Sequence, residues 1–210
     1  MFSLRKIALA GVLAITTCLP VAAAPILGTF DFMGGQAALT SDGIDFLPVG
    51  GGSGSFQISN PVCCSFGGLA GTAGTIGDTL TSNGRTPGIA LNVNNFIALT
   101  GQTWNFILTS ITPGTQGFYT LTQVGNSVFA GIEFKGKIVN GVDTTNWIAS
   151  LTTQYTSTTV ALAQASILAG AAPQNSWSGT LTTTPEPGSA VTLFSGLALV
   201  GLGWSRRRNA

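Results

Sequence analysis

The chain has 210 residues, of which 7% are charged, against about 25% in average soluble domains. It contains no histidine, which excludes a Ser-His-Asp triad, a Cys-His pair and a zinc site built on histidine. Between residues 24 and 184, three cationic residues stand against six acidic ones, so the body has a net charge of −3. Such a body offers no basic surface to nucleic acid, and we expect neither a nucleic-acid partner nor a cofactor.

The first 23 residues have the layout of a secretory signal peptide. Two basic residues precede an apolar stretch from Ile7 to Leu19, and Pro20 would end its helix. Cleavage is expected after Ala23, because a cut after Ala24 would place Pro25 directly after the scissile bond. A retained N-terminal anchor is the alternative, but the apolar stretch is short for a membrane span. The segment predicts export through the Sec translocon and removal by signal peptidase.

Two weak candidate sites lie in the first third of the chain. Asp42 and Asp45 could offer carboxylates to calcium, but their spacing does not match an EF-hand, and turn-forming aspartates explain them more simply. Cys63 and Cys64 are adjacent and could form a vicinal disulfide, bond between chains or stay reduced. A structural role is favoured for the cysteines over redox catalysis, and no metal is expected.

The body, residues 24–183, has the pattern of an all-β domain. Asn140-Gly141 and Gly125-Asn126 each stand between strand-like runs, which is a strong hairpin signal. From Val128 to Phe134, every second side chain is apolar and would face the same side of a half-buried strand. Short strands separated by turns are typical of a sandwich or jelly roll, which is the fold we expect.

One short helix is predicted in the body. Thr159 to Ala169 is rich in Ala, Leu and Gln, with Ser157 or Thr158 available as an N-cap and Gly170 as a stop. The fold expected for the whole chain is therefore all-β with one short helix. A signal-peptide helix precedes this domain and a transmembrane helix follows it.

Two alternative functions depend on residues of the body. A glycoside hydrolase needs two facing carboxylates, for which Glu133 and Asp143 are candidates, but a charge partner beside Lys135 explains Glu133 more simply. A carbohydrate-binding module needs aromatic side chains exposed in a row, whereas strand alternation turns most of the large aromatics inward. We therefore expect no enzymatic activity. The aromatic candidates are Trp104, Tyr119, Trp147, Tyr155 and Trp177.

Three segments follow the body in a fixed order. Pro185-Glu186-Pro187 favours an extended backbone, because its two prolines cannot lie inside a helix. Residues 189–204 carry no charge and form a short but possible transmembrane helix. Arg206, Arg207 and Arg208 come next, and the positive-inside rule keeps them cytoplasmic. The Pro-Glu-Pro peptide would then lie on the outer side, next to the membrane.

In this order, residues 184–210 resemble a PEP-CTERM sorting domain, the substrate signal of exosortase. The resemblance implies a Gram-negative-type bacterium, recognition of Pro185, Glu186 and Pro187 by exosortase, and removal of the tail. It also implies transient residence in the inner membrane, then release to the cell surface or the extracellular matrix. For the body we expect a structural or interaction role, with extracellular polysaccharide as one candidate partner.

Overall fold

The computed structural model describes residues 25–46, 53–156, 158–170 and 174–184. Over these residues the chain consists mainly of strands with one short helix, which confirms the predicted all-β class. The predicted signal-peptide helix and the predicted transmembrane helix lie outside the described residues.

The longest strands come early and late in the chain, and those between them are shorter. In chain order they are β1 (Thr29–Thr40), β2 (Gly43–Asp45), β3 (Ser53–Val62), β4 (Ala73–Gly77), β5 (Thr79–Leu80), β6 (Val93–Leu99), β7 (Asn105–Thr112), β8 (Thr120–Val124), β9 (Ser127–Asn140), β10 (Asp143–Thr156) and β11 (Asn175–Thr184). The helix α1 spans Val160–Leu168, and short 3₁₀ turns occupy Cys64–Phe66 and Thr81–Asn83.

Eight of the strands form a closed antiparallel sheet. The order is β11-β10-β9-β7-β6-β4-β3-β1, and β1 pairs with β11 as well as with β3. The same residues, Thr29 to Gly34, make both pairings, so the sheet closes into a barrel- or sandwich-like ring. The three remaining strands lie outside the ring, where β2 pairs with β1, β5 with β2 and β8 with β9.

The two predicted hairpins are present, one of them with a shifted turn. Gly125-Asn126 forms the loop between β8 and β9, as expected. Between β9 and β10 the loop is Gly141-Val142 rather than Asn140-Gly141, because Asn140 pairs with Asp143. In both loops the glycine comes first and has a positive φ, 58° at Gly125 and 63° at Gly141, which glycine adopts without a steric penalty.

Helix α1 begins one residue after its predicted start. Its N-cap is Thr159, whose hydroxyl accepts a hydrogen bond from Leu162 N at 3.4 Å, and not Ser157 or Thr158. The predicted stop is in place, since Gly170 follows the helix with a φ of 66°. Ala163 and Ile167 are buried and join the core at the end of the ring where β10 ends and β11 begins.

The inner face of the ring encloses one aromatic core. Burial alternates along β10 from Thr145 to Tyr155 and along β9 from Val128 to Ile138, as the period of two predicts. Several large aromatic side chains lie directly across the ladder from a glycine, and the missing side chain of that glycine leaves room for them. These cross-strand pairs are Trp177 with Gly34, Trp147 with Gly136, Phe56 with Gly74, and Phe32 with Gly179.

Candidate functional site

The chain enters and leaves the ring at the same end. Gly28 N donates to Thr183 Oγ1 at 2.9 Å, and Thr183 N donates to the Gly28 carbonyl at 3.0 Å. Thr184, the last residue of β11, pairs with Asn146 on β10. The segment that follows the predicted signal peptide and the strand that precedes Pro185 therefore lie side by side.

The entering segment, residues 25–28, is held by backbone N–H groups that donate hydrogen bonds to side-chain oxygens. Ile26 is buried at 4% exposure, and its N–H donates to Thr145 Oγ1 at 3.0 Å. Leu27 N donates to Ser65 Oγ at 3.1 Å. Because these donors come two and three residues after Ala24, a mature chain starting at residue 24 would have almost no free N-terminal arm.

The β9–β10 hairpin projects from this same end. Asn146 is the last β10 residue that β11 covers, and the hairpin continues through Asp143 to its Gly141-Val142 loop. Val142 is 91% exposed, the highest value among the exposed large hydrophobic side chains that the structure describes. The exit end of the ring thus presents an apolar tip beside the strand that leads into the tail.

The predicted sorting residues lie outside the described residues. They comprise the processing motif Pro185, Glu186 and Pro187, the anchor residues Arg206, Arg207 and Arg208, and the cleavage residues Ala23 and Ala24. Within the part of the chain that the structure describes, no helix has the length and apolar character needed to cross a membrane.

Cys63 and Cys64 form a vicinal disulfide, one of the three states that the sequence left open. Both residues have positive φ, 51° and 61°, so two non-glycine residues in a row occupy the left-handed region. The loop is attached to the exit end, because Ser65 N donates to the Leu27 carbonyl at 2.9 Å and Phe66 is fully buried against Phe30. The disulfide therefore lies beside the entering segment, in a loop that is attached to the fold by Ser65 and Phe66.

Asp42, one of the two weak metal candidates, serves the turn before β2. Asp42 Oδ2 accepts a hydrogen bond from Ser82 N at 3.3 Å, and the Asp42 carbonyl accepts one from Thr81 N at 2.9 Å. Asp45 is the last residue of β2. Among the described residues, no three His, Cys, Asp or Glu side chains come together as a metal site would require.

The candidate carboxylate pair for hydrolysis is not brought together. Glu133 lies seven residues from Asn140 along β9, and Asn140 pairs with Asp143, so about 23 Å of strand separates the two acids. Glu133 accepts a hydrogen bond from Thr112 Oγ1 at 2.8 Å and contacts Lys135 Nζ at 3.1 Å. The Thr112 hydrogen bond, followed by Lys135, lowers the pKa of the Glu133 carboxyl. Both charged side chains are about half exposed, so their pairing adds little to stability.

The large aromatic side chains lie inside the ring, as strand alternation predicts. Trp147, Trp177, Tyr119 and Tyr155 are all 5% exposed or less, and Trp104 packs against the core while partly exposed. Burial, joined by the neighbouring charge of Tyr155 and then of Asp42, raises the pKa of the Tyr119 hydroxyl, and burial alone raises the pKa of Tyr155. These five residues therefore do not form an exposed stacking platform.

The fold and its exit end together define a closed all-β domain whose last strand continues directly into a Pro-Glu-Pro segment. Residues 183–208 match the PEP-CTERM protein-sorting motif. The chain therefore carries the sorting signal of exported proteins that are exosortase substrates, which confirms the resemblance seen in the sequence. No curated protein and no solved structure matches the chain.

The match begins inside the folded domain. Its first two residues, Thr183 and Thr184, belong to β11, and Thr183 is buried where it bonds to Gly28. The sequence suggested the tail but contained no signal for this junction, because the pairing of β11 with β1 joins residues about 150 positions apart along the chain.

Proposed function

We propose that this protein is delivered to the cell surface or extracellular matrix by exosortase and acts there as a structural or interaction component. The Sec translocon would export the chain and signal peptidase would remove residues 1–23. Residues 189–204 would then hold it transiently in the inner membrane, with Arg206, Arg207 and Arg208 on the cytoplasmic side. Exosortase would act on Pro185, Glu186 and Pro187 outside.

One observation carries the proposal: the sorting motif starts at the last two residues of the last strand. The described pairings of β11 with β1 and β10 lie at or before Thr184, so the ladders that close the ring do not require the tail. Release would therefore leave an intact domain.

The geometry of the candidate residues supports a role without catalysis for the released domain. The acids proposed for hydrolysis lie far apart along β9, and the aromatics proposed for sugar stacking lie in the core. The outer faces of β10 and β11 instead carry uncharged polar residues, interrupted on β10 by the partly exposed Ile148. Such faces favour contact with other macromolecules over chemistry at one pocket. These polar residues are Thr144, Ser150, Thr152 and Gln154 on β10 and Ser176, Ser178, Thr180 and Thr182 on β11.

Replacing Glu186 tests the sorting step. In the native host, Glu186→Ala should lower the released protein by more than about tenfold, because loss of a charged group at a recognition site costs roughly 2 kcal/mol or more. Glu133→Ala is the matched control, since Glu133 is the only other glutamate and lies on the sheet surface. Immunoblots of the membrane and medium fractions measure the effect, and normal release of the Glu186 variant would refute the sorting proposal.

Intact mass of the extracellular protein tests whether the tail is removed. A mass that corresponds to a chain starting at residue 24 and ending near Thr184 is expected. A mass that corresponds to residues 24–210 would mean that the tail is retained, and processing would then be excluded.

A further inference from the structure

We propose that the tip of the β9–β10 hairpin contacts the lipid surface of the outer leaflet while the tail is still anchored. The inference rests on the proposed function, because it assumes that residues 189–204 lie in the membrane. It assigns a binding partner of defined chemistry, phospholipid headgroups and the adjoining acyl chains, to one end of the ring.

The first step concerns the length of the tether, which is residues 185–188 between the ring and the apolar segment. Thr184 is held in the sheet by its pairing with Asn146, and only residues 185–188 separate it from the apolar segment. From Thr184 to Ser189 there are five Cα–Cα steps, which in extended conformation span at most about 18 Å. The exit end of the ring must therefore stay within about that distance of the membrane surface for as long as the tail is uncut.

The second step is the reach of the hairpin. From Asn146, which marks the level of Thr184, β10 continues back through Asp143 to the loop residue Val142. Four residues of strand extend about 13 Å. The hairpin tip therefore lies within the reach of the tether past the end of β11, and about two residues past the start of β7, which pairs with β9 as far as Val139. Both the tip and the tether can then reach the membrane surface.

The third step is the chemistry of the tip. Val142 is 91% exposed and its loop partner Gly141 is uncharged, but Asp143 follows Val142 directly. The valine can therefore enter the interface only to the depth at which the Asp143 carboxylate stays hydrated. One valine gains little by partition into lipid. The membrane anchor nevertheless holds Val142 at a high effective concentration near the lipid surface. A weak contact is then formed for much of the time without additional binding energy.

The opposite end of β9 supplies a matched control. Val124 precedes the Gly125-Asn126 loop of the β8–β9 hairpin and is 59% exposed. Thirteen residues of strand separate Ser127 from Asn140, which places the two hairpin loops about 40 Å apart. A tether that ends at Thr184 cannot bring Val124 to the same surface unless the ring turns over.

Photocrosslinking of the full-length chain tests the contact. The photoreactive amino acid p-benzoylphenylalanine replaces Val142 or Val124 in a Gram-negative host that lacks exosortase, and lipid adducts are counted by mass spectrometry in the alkali-resistant membrane fraction. We expect at least about fivefold more lipid adduct at 142 than at 124, as the tethered geometry requires. Inserting eight Gly and Ser residues between Thr184 and Pro185 should lower the adduct at 142 by about half or more, because a longer flexible tether lowers the effective concentration.

The possible outcomes separate the inference from the proposal beneath it. Equal or absent adducts at both positions, with the chain in the membrane fraction, would overturn the hairpin contact and leave the sorting proposal intact. Adducts at 142 that are unaffected by the inserted linker would also overturn it, because the tether would not be what brings the hairpin to the lipid. A chain found only in the alkali-soluble fraction would overturn the membrane anchor itself, and the hairpin contact with it.

Discussion

Single glycines leave the space that the large aromatic side chains occupy inside the closed sheet. Gly34 lies directly across the ladder from Trp177, and a Cβ built at Gly34 would overlap the indole. A Cβ built at the next residue, Gly35, would meet no atom within 4 Å. Two neighbouring glycines on β1 thus have opposite constraints, because only one of them faces a buried ring.

We predict that Gly34→Ala lowers the free energy of unfolding by about 2 kcal/mol, because the added methyl group would force the indole or the strand to move. Gly35→Ala should change it by less than about 1 kcal/mol, and in the stabilising direction, through the lower entropy of the unfolded chain. Urea unfolding followed by tryptophan fluorescence measures both variants. Equal effects would show that the Trp177 contact does not constrain position 34.

The chain contains only two tyrosines, Tyr119 and Tyr155, and both are buried. Burial raises the pKa of each hydroxyl in the folded state above the unfolded value near 10. The folded state therefore binds these protons more tightly, so stability is unaffected below about pH 10 and falls as the pH rises further.

The corresponding prediction concerns tyrosinate absorbance at 295 nm. It should stay low past pH 10 and then rise together with the loss of the circular dichroism of the sheet, because ionisation requires unfolding. A smooth rise centred near pH 10 with an intact sheet would contradict the burial of both hydroxyls.

Among the elements, the entering segment is held chiefly by hydrogen bonds to strand side chains. Thr145 on β10 is fully buried and accepts from Ile26 N, while the adjacent Thr144 is exposed on the outer face. A buried N–H without a partner costs more than the hydrogen bond contributes. The Ile26 N–H thus depends on one hydroxyl, whereas Leu27 and Gly28 are held by Ser65 and Thr183.

Thr145→Val should lower the free energy of unfolding by about 1–3 kcal/mol, since it leaves Ile26 N buried and unpaired. It should also speed hydrogen exchange at residues 26–28. Thr144→Val is the matched control and should shift stability by less than about 0.5 kcal/mol. Mass-spectrometric hydrogen exchange on the chain without its signal peptide measures the difference, and an unchanged exchange rate would refute the role of Thr145.

For the whole molecule, closure of the sheet depends on its last strand. β11 pairs with β1 on one side and β10 on the other, and the ring has no other link between those two strands within the described residues. Removing β11 would expose two long edges together with the core rings they cover.

We predict that residues 24–184 fold without the tail and melt in one cooperative transition. Residues 24–174 should lack a cooperative transition and bind a hydrophobic dye, because the ring is open and Trp177 is missing. Thermal melts followed by circular dichroism compare the two chains, and a cooperative melt of the shorter one would show that closure is dispensable.

Local sequence determined much of this protein. The period of two along β9, the turn at Gly125, the stop at Gly170 and the inward aromatics all depend on residues close together in the chain, so local steric and burial preferences suffice. The sorting tail is likewise a linear signal. Hydrophobic segments and charges act on the membrane in the order in which they occur, and folding is not required for them to do so.

The tertiary structure alone decided which strands meet, and that residues 25–28 lie beside the end of β11. Pairing of β1 with β11 depends on burying Phe32 and Trp177 together, and no local pattern identifies partners so far apart in the chain. The one-residue shift of the β9–β10 turn has the same origin, because the register of Asn140 follows burial along the whole strand and not the turn alone. The common exit end and the projecting hairpin follow from that register.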